Sequence, residues 1–167
     1  LFRVFRGAAR DQGPAYGVFG RVLRARFGIV EGMDAEAAKA QVRAQAATVL
    51  EDRKVGDVVY FLGQLLDLEF LDSPLIKAVE GDPQQLRQLR RAVIKRFLEA
   101  DAQHLVEPTG TPPSLSSTSA QNVVARGPIV LVFDDLQVAH EEALDLLAYL
   151  VEYLAAPVLI LCLARPE

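Results

Sequence analysis

Gly127-Pro-Ile-Val-Leu-Val-Phe-Asp-Asp135 is the stretch on which the fold turns. Five apolar residues, Ile129 to Phe133, run without a break into two adjacent carboxylates, Asp134 and Asp135. β-Branched and aromatic residues dominate the run, and a Gly-Pro pair stands in front of it. A central parallel strand covered on both faces reads this way. Open α/β sheets take their ligands at the C-terminal ends of their strands, so the two acids are the first candidates for chemistry. A helical run follows from Glu141 to Ala155, then a second apolar strand from Pro157 to Leu163, closing on Arg165-Pro166-Glu167.

Upstream, Leu1 to Arg6 alternates loosely and stops at Gly7, as a strand does. Gly7 to Gly17 is a loop, rich in glycine. Arg3 and Arg6 read as solvated edge residues, with Arg6 or Arg10 facing phosphate as the alternative. Tyr16 to Ile29 carries Phe19, Val22, Leu23 and Phe27 at helical spacing, with Arg21, Arg24 and Arg26 on what reads as a solvated face. Met33 to Asp52 is a second helix, capped by Asp34, whose apolar face is mostly alanine. Gly56 then breaks the pattern, and Asp57 caps a strongly apolar third helix. A short helix over Leu75 to Glu80 precedes a long one from Pro83 to about His104, with Asp82 as its N-cap. The basic stripe of that helix, Arg87, Arg90, Arg91, Lys95 and Arg96, reads as facing solvent.

Glu107 to Arg126 holds three prolines, four serines and three threonines, a composition that predicts a mobile surface loop. The organisation expected is therefore a strand and loop over 1–15, a helical region over 16–106, a flexible loop over 107–127, and strand, helix and strand over 128–167.

The totals narrow the functional classes. A chain of 167 residues can bury a core as one domain. Its formal net charge of -4 gives no reason to expect nucleic-acid or lipid binding through bulk charge. Cys162 is the only cysteine, which excludes an internal disulfide and a cysteine-rich zinc site; its apolar surroundings predict a buried, inert thiol. No apolar run reaches the 18 or so residues of a membrane span, and no leader opens the chain, so the expected location is cytoplasmic. Leu1 already lies in a strand-like segment, and the chain stops abruptly at Glu167. Both ends read as cuts through a longer polypeptide.

Strand, acid pair, helix, strand and arginine together resemble the Walker B half of a P-loop ATPase. The closer resemblance is to the AAA-like, STAND-type signalling ATPase domains of large bacterial regulators. It rests on Leu131-Val-Phe-Asp-Asp-Leu-Gln-Val-Ala-His140, on Cys162-Leu-Ala-Arg-Pro-Glu167 and on Pro14-Ala-Tyr-Gly-Val-Phe19. No G-x-x-x-x-G-K-[ST] phosphate loop occurs in the chain. Val138 and His140 depart from the family's tryptophan and final acid.

The resemblance implies an α/β fold in which strands 2, 3 and 4 of the sheet order 5-1-4-3-2 are adjacent, with a helical insert. It implies ATP and Mg²⁺ as cofactors of the complete domain. Asp134 would hold the metal, Asp135 would polarise the attacking water, and Arg165 would serve as a sensor toward the γ-phosphate. An aspartate in place of the usual glutamate suits slow turnover and a switching role. Such modules sit beside Ser/Thr kinase, cyclase or helix-turn-helix domains, so the expected partners are flanking domains of one polypeptide. Self-association through the open strand 157–163 is a further expectation, and no nucleic acid or membrane contact is implied. The chain alone, lacking the phosphate loop, is expected to be inactive. The alternative is a non-catalytic interaction or scaffold domain.

Overall fold

The computed structural model describes residues 2–50, 52–70, 74–79, 81–103 and 127–166, with side chains left out at 52–54 and 74–76. Three strands, β1 (Arg3–Ala8), β2 (Ile129–Asp134) and β3 (Val158–Cys162), form one sheet. The order is β1-β2-β3 and both pairings are parallel, so the α/β expectation holds. Between β1 and β2 come α1 (Gly17–Phe27), α2 (Ala35–Ala47), α3 (Asp52–Leu66), α4 (Pro74–Val79) and α5 (Pro83–Gln103). A single 3₁₀ turn (Leu136–Val138) and α6 (Glu141–Tyr153) link β2 to β3.

Side-chain caps set the starts of α2 and α5. Asp34 Oδ2 accepts from the N–H groups of Glu36 and Ala37, and Asp82 Oδ1 accepts from those of Gln84 and Gln85. Both are N-caps read from sequence, whereas the third one read there, Asp57, lies inside its helix. The third helix differs from its expected start. It begins at Asp52 and runs through Gly56 and Asp57. Val55, Val58, Val59 and Leu62 fall on one face, and burying it offsets the roughly 1 kcal/mol that glycine costs inside a helix.

Glycine sets two close approaches. A Cβ on Gly7 would lie 2.6 Å from the carbonyl oxygen of Val18, so β1 and α1 meet backbone to backbone there. A Cβ on Gly20 would collide with the carbonyl of Leu65, which lets α1 cross α3 closely. The core lies between the sheet and the helices, where Phe133 packs on Phe19 at 4.8 Å and Phe27 stacks on Phe97 at 5.7 Å between ring centroids.

Among the described residues the sheet is covered on one side only, which corrects the expectation of a doubly buried β2. Ile129, Leu131 and Phe133 are buried, while Val130, Val132 and Asp134 alternate with them and are partly open. The chain steps from β1 to β2 to β3 in one direction, and right-handed crossovers then bring every helix to the same face. The other face presents Phe2, Val4, Leu159, Leu161 and Leu163, from 43 % to 71 % exposed. Among the described residues no helix is long and apolar enough to cross a membrane. The expected loop over 107–127 falls outside the described residues except for Gly127, and Leu1, His104 and Glu167 fall outside them too.

Candidate functional site

The C-terminal edge of the sheet brings the sequence candidates together. Asp134 ends β2, its backbone carbonyl accepts the N–H of Ala9 at 2.8 Å, and its side chain projects on the uncovered side. Asp135 turns the chain with φ 54° and ψ 37°, a left-handed conformation that aspartate tolerates better than most residues. That turn aims the Asp135 N–H at Asp134 Oδ1, 2.9 Å away. The acids do not cap α6. The N-cap position there belongs to His140, which makes no side-chain capping bond. Its Nε2–H instead donates to the carbonyl of Gly13 at 2.7 Å, tying the loop after β1 to the start of α6.

Each acid has its own arginine. Arg6, from β1, pairs with Asp134 Oδ2. Arg165, just beyond β3, reaches Asp135 Oδ1 at 3.5 Å, and its N–H donates to Gln137 Oε1 at 3.2 Å. Gln137 Nε2 in turn donates to Asp135 Oδ1 at 3.2 Å. The result is a charged row across the three strands, two adjacent carboxylates with an arginine on either side: Arg6, Asp134, Asp135, Arg165. The Arg6 hydrogen bond, then the Asp135 N–H, and the charges of Arg6 and Arg165 hold the Asp134 carboxyl below the usual carboxylate range. Both arginine side chains are largely exposed, at 66 % and 79 %, so they are free to exchange partners.

As donors, Asp134 and Asp135 offer the hard oxygens that suit Mg²⁺. Among the described residues no group of three or more His, Cys, Asp or Glu gathers to hold a metal unaided. Two carboxylates fit a Mg²⁺ whose remaining ligands come from phosphate and water, the common arrangement for that ion.

A second charged cluster escaped the sequence reading. Asp101 on α5 is fully buried; Arg26 Nε and Nη2 donate to its two carboxylate oxygens at 2.6 and 2.7 Å, and Arg3 Nη1 donates at 3.1 Å. Arg3 Nη2 also donates to the carbonyls of Asp101 and Gly127, at 2.6 and 2.9 Å. Arg26 Nη1 donates to Gln45 Oε1. Burial pushes the Asp101 carboxyl up, but Arg26 and then Arg3 outweigh it and leave it below its ordinary value. The readings of Arg3 as a solvated edge residue and of Arg26 as part of a solvated face are thus overturned. A signal was available: Arg26 sits four residues after Val22, and Asp101 continues the buried Ile94, Phe97, Leu98 stripe.

Other expectations change as well. The basic stripe of α5 faces solvent at Arg87 and Arg96, but Arg90, Arg91 and Lys95 are half-buried and paired within the fold. Arg91 and Arg87 reach Asp145 of α6 at 3.2 and 3.9 Å. Arg90 donates to Tyr16 Oη at 2.7 Å and to Gln64 Oε1, and Lys95 pairs with Glu99. Cys162 is exposed at the β3 edge rather than buried, although partial desolvation pushes its thiol up and so keeps it protonated. The chain matches no protein-family model, no curated protein and no solved structure.

Proposed function

We propose that this α/β unit is part of an ATP-binding regulatory module of the AAA-like, STAND signalling type, in which Asp134 and Asp135 form the acidic edge of the nucleotide site. The observation that carries the reading is the acid pair at the C-terminal end of the middle strand of a parallel sheet, with an arginine from each neighbour. That is where such sheets take ligands. The adjacency β1-β2-β3 agrees with strands 2, 3 and 4 of the order 5-1-4-3-2, which supports the finer topology.

In this reading Asp134 and Asp135 would face a Mg²⁺ ion, which would supply neutralisation of phosphate charge. Asp134 would hold it, usually through water. Asp135 would accept a hydrogen bond from the attacking water, and Gln137, already bonded to Asp135, would fix its rotamer. Arg165 would move from Asp135 to the terminal phosphate. Aspartate is one methylene shorter than glutamate, which favours slow turnover and a switching role, as befits a module flanked by kinase or other effector domains. The 167 residues alone contain no phosphate loop and would bind nucleotide weakly.

The test is calorimetric titration of MgATP into a polypeptide that carries the natural residues upstream of Leu1, beside its Asp134→Asn variant. Binding that weakens in the variant chiefly when Mg²⁺ is present supports the assignment. Binding indifferent to Asp134, or none in either protein, overturns it.

The uncovered sheet face favours a second reading, a non-catalytic interaction domain. β3 is an edge strand, and Leu159, Leu161 and Leu163 stand exposed along it. Open apolar edges recruit other strands, so self-association through 157–163 is the expected behaviour of the isolated chain. Sedimentation should show concentration-dependent dimers that Leu161→Lys abolishes; a monomer at all concentrations would remove this reading.

A further inference from the structure

The arginines of α1 do not all face solvent or the buried cluster. Arg21 and Arg24, one helical turn apart, converge with Arg10 of the preceding loop on an open groove of about 420 Å³. Each helix arginine spends part of its guanidinium on a backbone carbonyl: Arg21 Nη1 on Ala8 at 2.7 Å, Arg24 Nη2 on Leu66 at 2.8 Å. Those bonds orient the planar groups and leave the rest of their five donors unused. Among the described residues none of the three arginines has a carboxylate within salt-bridge distance.

Glu31 and Asp67 also line the groove, and they leave it with one net positive charge. Burial, and then the like charge of Arg10, push the Arg21 guanidinium down. Apolar wall comes from Ile29, Leu65 and Leu66. The groove has the size of ordinary small-molecule sites. It flanks β1, and neither Asp134 nor Asp135 is among the residues that line it.

We propose that this groove binds a small organic phosphate. Arg10, Arg21 and Arg24 grip the phosphoryl group, and Ile29 and Leu65 contact the apolar part. Guanidinium forks match phosphate oxygens in pairs, and three arginines outside any salt bridge among the described residues, two of them oriented by backbone carbonyls, favour a doubly charged ligand over a single carboxylate. The proposal does not depend on the ATPase reading, because it uses neither Asp134 nor Asp135.

The experiment is an NMR titration of the 167-residue chain with phenyl phosphate, inorganic phosphate and benzoate, following the arginine Nε–H signals. Saturable shifts at Arg21 and Arg24 are expected, with phenyl phosphate binding tighter than inorganic phosphate and benzoate weakest. Arg10 holds no partner whose loss would disturb the fold, so Arg10→Gln should weaken phenyl phosphate roughly three- to tenfold. Arg87→Gln, which lies outside the groove lining, should leave it unchanged. Benzoate binding as tightly as phenyl phosphate would overturn the phosphate assignment. Equal losses from Arg10→Gln and Arg87→Gln would reduce the effect to diffuse charge and overturn the site, as would the absence of saturable shifts.

Discussion

The molecule builds two arginine–aspartate clusters from the same side-chain types and uses them in opposite ways. Around Asp101 the carboxylate is fully buried, and its two arginines are 7 % and 4 % exposed. Along the C-terminal edge, Arg6 and Arg165 stand mostly in water. In the first cluster each partner has nowhere else to go, since an unpaired charge there would be stranded in low dielectric. In the second, water and dissolved ions compete for every contact, so the pairs can open for a ligand. Burial separates a cluster that holds the fold from one available for binding.

Three measurements on two variants probe that contrast. Asp101→Asn, which keeps the shape and removes the charge, should cost about 3–5 kcal/mol of stability in urea denaturation, because it leaves Arg3 and Arg26 buried and unpaired. A loss no larger than a surface substitution gives would break the contrast at its stronger end. The same variant sharpens it through pH. The folded Asp101 carboxyl titrates below its unfolded value near 4. Its stabilisation is therefore complete above about pH 4 and falls away as pH drops through the lower folded value. The wild-type protein should show that acid-side loss, and Asp101→Asn should lack it.

The smallest effect belongs to Arg6→Gln, which should leave the urea midpoint where it is. Its mark is on Asp134, whose carboxyl should titrate at higher pH once its first partner is gone. Carbon-detected NMR of the aspartate carboxyls reads this directly, and an unchanged Asp134 titration would mean that the pair does not persist in solution.

These two regions also differ in how far the amino-acid order revealed them. The exposed row was legible because it is local. Asp134 and Asp135 are adjacent, they end a continuous apolar run, and the position of a strand's end fixes where they point. Arg165 follows from the next strand by the same reasoning. What this did not give was Arg6 as the partner of Asp134, since it depends on which strand lies beside β2. The buried cluster joins positions 3, 26 and 101, which no periodicity links. Its three members were visible only as charges on the wrong face: Arg3 in phase with Phe5, Arg26 with Val22, Asp101 with Ile94 and Phe97.

The same distinction explains the misread sheet. A run of five apolar residues signals burial but does not say on how many sides. The direction in which the crossovers advance decides that, and direction is a property of the assembled chain.

Arg3 leaves one more consequence, for how the middle strand is entered. One guanidinium nitrogen holds the carbonyls of both Asp101 and Gly127, so the two backbone positions that bracket residues 104–126 are stapled together from the first strand. The distance that intervening sequence must span is fixed by the fold, whatever its own length. A change at Arg3 would therefore release the end of α5 and the entry to β2 together, so the first strand governs how the strand that carries the acids is entered.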